Sequence, residues 1–587
     1  MKRSAFPRRL VPVILTLAVL TGGVYYWLGW HRAKERGHSG LDIKMALGES
    51  RPQVASSSLR FNSVGAESGV NFRYYGSPTA RHHMFEQNGG GIALIDFDGD
   101  DRLDLFFSNG STPADPAESR GASSRLFRAS GPLRYEDVTA PAGLESFGFG
   151  MGCAVGDYDG DGFADLFQAG YGGNRLWHNN GDGTFSDVTE AAGLASTLWS
   201  ASAAFADLDR DGHLDLYVTT YVDYPVDHPP CYLKTDLGML QGTCDPSGLP
   251  AQPDLVYRNL GNGGFEDVSR SSGIALAPRG KGLDVAIADF DDDGWLDVYV
   301  ANDTTENFLF HNLGGMRFEE LGVTQGVALG ADGRLQGSMG IGCADYNGDG
   351  KLDLCVANFE GQVNDFYENL GNAGFVAVNS RLGMDAVSRP KLAFGMALYD
   401  FDLDHYPDLF VANGHIWDTT SWGLGYEYEM QPTLMANDRG RRFVDVTGQA
   451  GDYFQQGWLG RATAVGDLDN DGDYDLVVAH LKKPAAVLRN DSSHAGQATR
   501  LRLVGTRSSR DALGARVTWT VGGRRWTVHV PSGGGFQGSS DQRLLLAVDR
   551  ATQIEELLVR WPNGSEERWS NLPVVPSLTL VEGTGTR

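Results

Sequence analysis

Seven acidic loops are the part of this 587-residue chain whose residue types and spacing could do chemistry. Each loop has nine residues, lies between two short apolar runs, and carries oxygen-bearing side chains at positions 1, 3, 5 and 9. Oxygen ligands at alternate positions of a tight turn suit calcium, which takes about six to eight oxygens and tolerates irregular geometry. Without a cation, the carboxylates of such a loop would repel one another. The pattern therefore predicts several bound calcium ions.

The predicted calcium ligands are the side chains at these four positions, together with the backbone carbonyl at position 7. The side chains are Asp96, Asp98, Asp100 and Asp104; Asp157, Asp159, Asp161 and Asp165; Asp207, Asp209, Asp211 and Asp215; Asp289, Asp291, Asp293 and Asp297; Asp345, Asn347, Asp349 and Asp353; Asp400, Asp402, Asp404 and Asp408; and Asp467, Asp469, Asp471 and Asp475. The sixth loop has Leu403 and His405 where the second has Gly160 and Gly162, so we expect the sixth to bind most weakly. Because each loop supplies its own carboxylates, we expect structural rather than catalytic ions.

The composition fits a folded chain whose acidity is local. The formal net charge is −26, yet 41% of the residues are hydrophobic and 10% are aromatic, which is enough for a packed interior. From Leu501 to the last residue the chain has 11 Lys and Arg against 8 Asp and Glu, so the negative charge belongs to the repeats. The sequence has no basic patch, and bare carboxylate loops would repel phosphate. We therefore expect no nucleic-acid partner.

Each acidic loop belongs to a longer repeat of four short strands. In the second copy one strand ends at Gly156, the next begins at Ala164, a third spans 176–179, and a turn leads to a fourth at Phe185. The loops start 50 to 82 residues apart, and four-stranded units of that size stack radially into a propeller. We therefore predict an all-β, seven-bladed β-propeller over residues 60–490. Residues 61–70 match 185–194, so the first strand is predicted to complete the last blade.

Both ends of the chain differ from the repeats. Residues 491–587 contain further apolar and alternating runs, which predict a small C-terminal β-sandwich-like domain packed on blade seven. At the other end, four basic residues precede an apolar run over 10–30, about 31 Å long as a helix. This run predicts a transmembrane anchor over 1–31, with a cleaved signal peptide as the alternative, followed by a tether over 32–59. In both cases the bulk of the protein is expected outside the cytoplasm, periplasmic or extracellular, and secreted if the N-terminus is cleaved.

An exported protein can keep disulfides, and one pair of cysteines is placed to form one. Cys231 and Cys244 lie in the same Pro/Gly-rich insertion, and we expect a disulfide between them that closes this insertion. Cys153, Cys343 and Cys355 lie in apolar strand-like runs and are expected to be buried thiols, although a bridge between Cys343 and Cys355 is also conceivable.

The face opposite the acidic loops is the candidate ligand face, because it receives the long insertions 110–123, 221–254 and 416–432. One residue of each repeat, five positions after the last loop aspartate, should ring this face: Asn109, Gly170, Thr220, Asn302, Asn358, Asn413 and His480. The asparagines could cap the turn after each strand, or they could form a polar ligand site. In the second interpretation the ligand-binding residues include Asn302, Asp303, Asn413 and His415.

Several segments together resemble a known family. The acidic loops resemble FG-GAP/VCBS repeats, which build the propellers of integrin α chains. The combination is closer to the cartilage acidic protein family with its C-terminal ASPIC/UnbV domain, on GGGIALIDFDGDDRLDLFFSNG, VANGHIW, the Ser532–Phe536 stretch and VRWPNGSEERW. This resemblance, over about residues 60–582, implies a calcium-binding propeller with a small β domain that is usually exported. It implies little about ligand or activity.

Three functions agree with these features. The favoured one is a recognition or adhesion module that binds a protein or glycan and is tethered to a membrane by its N-terminal helix. The second is an enzyme with acid–base groups such as His415, Asp303 and Asp284 in the mouth of the propeller. The third is a scaffold for envelope proteins. The sequence contains no nucleophile elbow, and no two carboxylates have a spacing that identifies a catalytic pair. Both observations weigh against the enzyme hypothesis.

Overall fold

The computed structural model describes residues 58–75, 82–111, 123–145, 148–235, 238–277, 280–418 and 427–586. The predicted anchor, nearly all of the tether, and parts of all three insertions (112–122, 236–237 and 419–426) lie outside these residues. Across the described ranges, strands dominate and helices are short, so the all-β prediction is confirmed. No helix in these ranges is long and apolar enough to cross a membrane.

Within the described residues, seven antiparallel sheets follow one another along the chain, and we number them in that order. Their strands are Ile92–Ile95, Asp104–Phe107, Arg125–Gly131 and Arg134–Asp137 (sheet 1); Phe149–Gly156, Asp165–Tyr171, Arg175–Asn179 and Phe185–Asp187 (sheet 2); Ser200–Ala206, Asp215–Thr220, Leu255–Asn259 and Phe265–Asp267 (sheet 3); Gly282–Ala288, Asp297–Asn302, Phe308–Asn312 and Phe318–Glu320 (sheet 4); Ile341–Ala344, Asp353–Val356, Asp365–Asn369 and Phe375–Ala377 (sheet 5); Ala393–Tyr399, Asp408–Asn413, Thr433–Asn437 and Phe443–Asp445 (sheet 6); and Gly460–Gly466, Asp475–His480 and Ala486–Asn490, with Phe61–Ser63 as fourth strand (sheet 7).

The remaining elements are a hairpin, two C-terminal sheets and short helices. The hairpin is Cys231–Thr235 with Gly238–Gly242; sheet 8 is Ala498–Val504, Leu544–Ala547 and Ser577–Val581; sheet 9 is Arg516–Val521, Arg524–His529, Gln553–Arg560 and Glu566–Pro573; and Gly538–Ser539 pairs with the first strand of sheet 1. The α-helices are Gly322–Gln325, Asn379–Leu382 and Met384–Ser388, and the 3-10 turns are Gly65–Ser68, Met84–Glu86, Pro246–Gly248, Ile274–Leu276, Gly371–Ala373, Thr447–Gln449 and Asp452–Gln455.

The first two strands of sheets 1 to 7 are apolar and buried because each sheet is covered on both faces by its neighbours. In sheet 3, every residue of Ser200–Ala206 and Asp215–Thr220 is buried. The acidic loop joins these two strands, and the pairing of Ala206 with Asp215 places it directly at their end. Along the chain, the first strand of each sheet lies against that of the next, and the first strand of sheet 7 lies against that of sheet 1.

The first described strand completes the last of these sheets, as the matching sequences predict. Phe61 pairs with Asn490 and Ser63 with Leu488 in antiparallel register. The Phe61 ring is fully buried and meets the Phe401 ring of sheet 6 edge-on, with 5.3 Å between centroids. The N-terminal part of the folded region therefore holds sheet 7 to sheet 6.

The C-terminal sheets do not pack on the seventh sheet alone, so that part of the sequence prediction is wrong. Sheets 8 and 9 lie over the acidic loops of several sheets. Arg516 contacts Asp292 in the loop of sheet 4, Arg510 contacts Asp157 in the loop of sheet 2, and His405 in the loop of sheet 6 contacts Asp549. Opposite charges meet at this contact, and apolar side chains such as Trp526 join the same buried cluster as Leu398 of sheet 6.

We expect Phe61→Ala to lower the free energy of unfolding by about 3–5 kcal/mol, since it removes a buried ring and leaves a cavity between sheets 6 and 7. Urea denaturation in calcium would measure this. The matched control is Phe163→Ala, at a phenylalanine that is 37% exposed, for which we expect a loss below about 1 kcal/mol. Equal effects of the two changes would contradict the role assigned to this strand.

Candidate functional site

The last aspartate of every acidic loop is buried and anchors the loop through two backbone amides. In sheet 2, one Asp165 oxygen accepts the N–H of Tyr158 at 3.2 Å and the other accepts that of Asn179 at 2.8 Å. The same pair of contacts recurs at Asp104, Asp215, Asp297, Asp353, Asp408 and Asp475. This carboxylate therefore fixes both the loop and the end of the third strand. Each oxygen keeps a second lone pair that could bind a cation.

The first aspartate of each loop turns one carboxylate edge toward the loop backbone. Asp157 accepts the N–H of Gly162 at 2.9 Å, and Asp207 accepts that of Gly212 at 3.0 Å. At loop positions 1, 3, 5 and 9, five carboxylate oxygens are buried and accept no hydrogen bond from the described residues: Oδ1 of Asp157, Asp289, Asp402, Asp467 and Asp469. A buried anionic oxygen without a donor is costly, and a bound cation would remove that cost. The donor set of the loops therefore fits a divalent cation.

The electrostatics of the loops point the same way. Burial, reinforced by neighbouring carboxylates, raises the pKa of Asp165 and of Asp353 to about 9. Burial likewise raises the pKa of Asp104 to about 8 and that of Asp207 to about 7. Carboxyl groups held in this way resist ionisation unless positive charge is supplied. The first and last loop positions are thus the places where a cation would change the protonation state most.

An asparagine at the end of the third strand links each loop to the preceding sheet. Asn259 donates from Nδ2 to the carbonyl of Leu214 in its own loop at 2.9 Å and to that of Tyr158 in the loop of sheet 2 at 2.7 Å. The same double contact is made by Asn179, Asn312, Asn369, Asn437 and Asn490. In sheet 1 this position is Ala129. The sequence analysis assigned no role to these residues, although an asparagine recurs at the end of the third strand in six of the seven repeats.

Arginines of the C-terminal sheets reach the first aspartate of three loops. Arg500 Nη1 lies 3.3 Å from Asp467 Oδ2, and Arg560 Nη1 lies 3.4 Å from Asp289 Oδ2. Arg510 Nε lies 3.7 Å from Asp157 Oδ2. In the same three aspartates the other oxygen, Oδ1, is the buried one without a hydrogen bond. Each of these carboxylates therefore faces an arginine on one side and the loop interior on the other.

The segment Ser532–Ser540, which we call the central segment, touches the first strands of all seven sheets. It bonds through its backbone or hydroxyls to sheets 1, 2, 3, 4, 5 and 7, and the Phe536 ring meets Phe394 of sheet 6 at 5.0 Å. Five consecutive residues, Gly533 to Gln537, have positive φ angles between 58° and 90°. Glycine adopts such angles without strain, which explains why three of the five are glycine.

Asp284 holds this left-handed turn in place. In the enzyme hypothesis drawn from the sequence, Asp284 is one of the acid–base groups in the mouth of the propeller. Its carboxylate instead accepts the N–H of Phe536 at 2.9 Å, the N–H of Ile341 at 3.1 Å and the hydroxyl of Ser202 at 3.0 Å. Burial raises its pKa to about 6. These contacts give Asp284 a structural role in joining the central segment to sheets 3, 4 and 5.

The candidate ligand-binding residues Asn302, Asp303, Asn413 and His415 lie close to the ends of their second strands, where the sequence places them. The amide of Asn302 donates to the Glu306 carbonyl at 2.7 Å, and that of Asn413 donates to the Gln431 carbonyl at 3.0 Å. Both side chains are buried. These contacts match the turn-capping interpretation of the asparagine ring.

Asp303 and His415 are also engaged by neighbouring side chains. Asp303 accepts the hydroxyl of Tyr221, and burial raises its pKa to about 6. His415 Nδ1 accepts the N–H of Trp417 at 3.0 Å, so the proton lies on Nε2, which is 3.1 Å from Glu360 Oε2. His415 is buried, and its carbonyl accepts a hydrogen bond from Arg461. Each of the four residues is thus held by its own turn or by a neighbouring side chain.

A disulfide-closed hairpin is the exposed feature of the face opposite the acidic loops. Cys231 and Cys244 are bonded, while Cys153, Cys343 and Cys355 are free. Tyr232 pairs with Gln241 and Lys234 with Met239, so these four side chains share one face of the hairpin. Tyr232 is 56% exposed and Met239 is 63% exposed. Sequence reasoning placed the insertion and the disulfide but did not single out these side chains.

Family models agree with the repeat geometry. A model described as an FG-GAP-like repeat matches residues 96–168, 157–218, 248–300, 289–356 and 345–411, and a model described as ASPIC and UnbV matches residues 505–587. The chain belongs to the FG-GAP-repeat proteins that carry an ASPIC/UnbV domain. The resemblance seen in the sequence is therefore confirmed.

Relatives among known proteins are distant. Cartilage acidic protein 1 of Mus musculus is 24% identical over 325 residues, which cover 54% of this chain and 47% of that protein. The Homo sapiens protein of the same name is 24% identical over 333 residues, with 55% and 47% covered. The chain thus spans about half the length of the curated relatives it matches. An Agrocybe aegerita structure described as recognising non-reducing terminal N-acetylglucosamine overlaps 68% of this chain and 86% of its own, at 16% identity and a TM-score of 0.39.

We expect Gly535→Ala to destabilise the protein by about 1–3 kcal/mol more than Gly522→Ala. Both glycines have positive φ, but a Cβ at Gly535 would overlap the Thr463 carbonyl oxygen, whereas one at Gly522 meets no atom within 4 Å. The difference between the two unfolding free energies, measured in urea with calcium present, isolates the fit of the central segment. Equal losses would show that this segment does not need its close approach to sheet 7.

Proposed function

We propose that this protein is a calcium-stabilised, seven-bladed propeller that recognises a protein partner outside the cytoplasm. The seven sheets serve as blades, because their first strands neighbour one another in order and the seventh neighbours the first. The observation that carries the recognition role is the disulfide-closed hairpin with Tyr232 and Met239 exposed on one face. Exposed aromatic and methionine side chains on a rigid element are typical of protein interfaces.

Calcium is the proposed cation of the acidic loops. The ligands are the oxygens at positions 1, 3, 5 and 9, and five of these oxygens are buried with no hydrogen-bond donor among the described residues. Bound calcium would neutralise carboxylates whose ionisation the buried site disfavours, and it would hold the loop that joins the first two strands of each blade. The chain's own aspartates position the ion, and no catalytic step is assigned to it.

Export is proposed on two grounds. The disulfide between Cys231 and Cys244 is stable in an oxidising compartment, and FG-GAP repeats agree with an extracellular protein. The membrane anchor and the tether remain predictions from residues 1–59. The domain boundaries predicted at residues 60, 490 and 491 are kept as part of this proposal.

Chelation by EDTA should lower the melting temperature by about 10 °C or more, because a site saturated at a hundred times its Kd adds about 2.7 kcal/mol. In EDTA, stability should also fall as the pH rises. A carboxyl whose pKa is raised on folding contributes its full stabilisation at a pH below 3.8, its pKa in the unfolded chain. This contribution is lost as the pH rises through the pKa of the folded state, about 6 for Asp345 and about 9 for Asp165.

Scanning calorimetry at pH 5.5 and pH 8 would measure both effects. Calcium should restore the melting temperature at pH 8 and flatten its dependence on pH, whereas magnesium at the same concentration serves as the control cation. A melt that EDTA leaves unchanged at both pH values would remove calcium from the proposal.

Partner capture should depend on the hairpin. We expect Tyr232→Ala/Met239→Ala to lose most of the binding to a crosslinked envelope protein, because both exposed side chains are removed without touching the core. The matched control is Leu260→Ala/Leu313→Ala, which removes two apolar side chains, each 49% exposed, at the ends of third strands near the acidic loops. Capture that survives the hairpin change, or binding to glycans alone, would contradict recognition of a protein by this hairpin.

A further inference from the structure

Two of the seven acidic loops have a histidine where the others do not. The residue just before the terminal asparagine of the third strand lies against the acidic loop of its own sheet. This residue is His178 in sheet 2 and His311 in sheet 4, and it is Arg128, Arg258, Glu368, Ala436 and Arg489 in the other sheets. Loops 2 and 4 therefore have a nitrogen ligand available in addition to their carboxylates.

The two histidines lie against the same two carboxylates of their loops, and His311 Nδ1 also forms a hydrogen bond with Asp297 Oδ1. His178 Nδ1 lies 3.3 Å from Asp159 Oδ2 and 3.3 Å from Asp165 Oδ1. His311 Nδ1 lies 3.3 Å from Asp291 Oδ2 and 3.2 Å from Asp297 Oδ1. In each loop one imidazole nitrogen thus faces the third and ninth carboxylates together, and the three ligand atoms lie within 4.8 Å of one another.

These separations match a small transition-metal ion. Two ligands bound to zinc at about 2.0–2.1 Å and at a tetrahedral angle lie about 3.4 Å apart. His178 Nδ1 forms no hydrogen bond with either carboxylate in the described part of the chain, although it lies close to both. An imidazole with two carboxylates is a donor set for zinc or a similar divalent ion, while calcium takes oxygen.

A second observation is independent of the histidines. The first aspartates of these two loops, Asp157 and Asp289, are 4% and 8% exposed, and the Oδ1 atom of each accepts no hydrogen bond from any described residue. The ligand atoms of Asp157, Asp159 and Asp161 also lie within 4.8 Å of one another. In loop 2 this set shares Asp159 with the histidine-containing set, so Asp157 could supply a fourth ligand there. The first aspartate of loop 4 carries the same kind of buried oxygen.

The corresponding position of sheet 3 shows what the histidines replace. There Arg258 Nε donates to Asp209 Oδ2 at 2.8 Å, so a fixed positive charge of the chain itself contacts the third carboxylate. A neutral imidazole in the same place can instead bind a metal ion through its nitrogen. Sheets 2 and 4 therefore place an imidazole nitrogen where sheet 3 places a fixed positive charge.

We propose that loops 2 and 4 bind zinc or a similar nitrogen-accepting divalent metal through His178 and His311, while the other five loops bind calcium. This inference rests on the proposed function, because it assumes that the acidic loops hold metal. It adds a second kind of metal to the chain and assigns it to two named sites.

The test is metal counting on the full-length chain. The protein is equilibrated with a large excess of calcium and a small molar excess of zinc, washed, and analysed for both metals by mass spectrometry. We expect two zinc ions per wild-type chain, one in His178→Gln and one in His311→Gln, and none in the double variant. His213→Gln is the matched control, because His213 is at position 7 of loop 3, where the backbone carbonyl is the expected ligand; it should keep two zinc ions.

The two proposals can fail separately. This inference is overturned if calcium displaces all of the zinc, or if the double variant binds as much zinc as the wild-type chain. In both cases the calcium count still tests whether the acidic loops bind metal. A chain that binds no calcium would refute the proposed function even if zinc binds. Should the variants fail to fold, X-ray absorption of the zinc-loaded wild-type chain decides: imidazole scattering supports the sites, and oxygen-only coordination overturns them.

Discussion

A buried carboxylate that accepts two backbone amides is the interaction on which the rest of this structure depends. The last aspartate of each loop, for example Asp215, receives one N–H from its own loop and one from the end of the third strand. Three strands of a sheet are thereby fixed to one anion that is shielded from water. Because burial of an anion is unfavourable, every loop needs compensating positive charge or hydrogen bonds. The repetition of this aspartate makes that need a property of the whole fold.

The compensation comes from different sources in different parts of the molecule. Arg560 of sheet 9, Arg500 of sheet 8 and Arg510 between these sheets approach the first aspartates of loops 4, 7 and 2. In loop 3, Arg258 of the same sheet contacts the third aspartate. Other loop oxygens, such as Oδ1 of Asp157 and Asp289, are buried and accept no hydrogen bond from the described residues. The basic C-terminal sheets and the acidic repeats are therefore complementary parts of one charge distribution, and neither is easily understood alone.

Much of this architecture could be read from local sequence patterns. The acidic loops, the four-strand repeat, the pairing of Phe61 with the seventh sheet and the pairing of Cys231 with Cys244 all follow from spacing and composition. The central segment could not be read in this way, because Gly533–Gly535 has the composition of a flexible linker. Its order comes from contacts with strands that are distant in the chain, such as the carboxylate of Asp284.

The candidate ligand face shows a second limit of sequence reasoning. The asparagines at the ends of the second strands suggested a polar ring, and two interpretations remained open. In the structure Asn302 and Asn413 direct their amides to the turns that follow their strands. A sequence shows that an amide is present but not whether the backbone next to it already uses the amide. The exposed Tyr232 could not be distinguished from a core tyrosine, since exposure depends on how the hairpin projects.

The central segment has a consequence for how the protein is made. The ribosome synthesises the chain from its N-terminus, at about 5–20 residues per second. Phe61 therefore waits about 20–90 s for its partner Asn490, and the first strand of sheet 1 waits about as long for the central segment Ser532–Ser540. During that interval the inner surfaces of completed sheets are uncovered. A nascent chain that stops before Ser540 lacks part of the segment that contacts the first strands of all seven sheets, so truncated products are candidates for aggregation rather than smaller working versions of the protein.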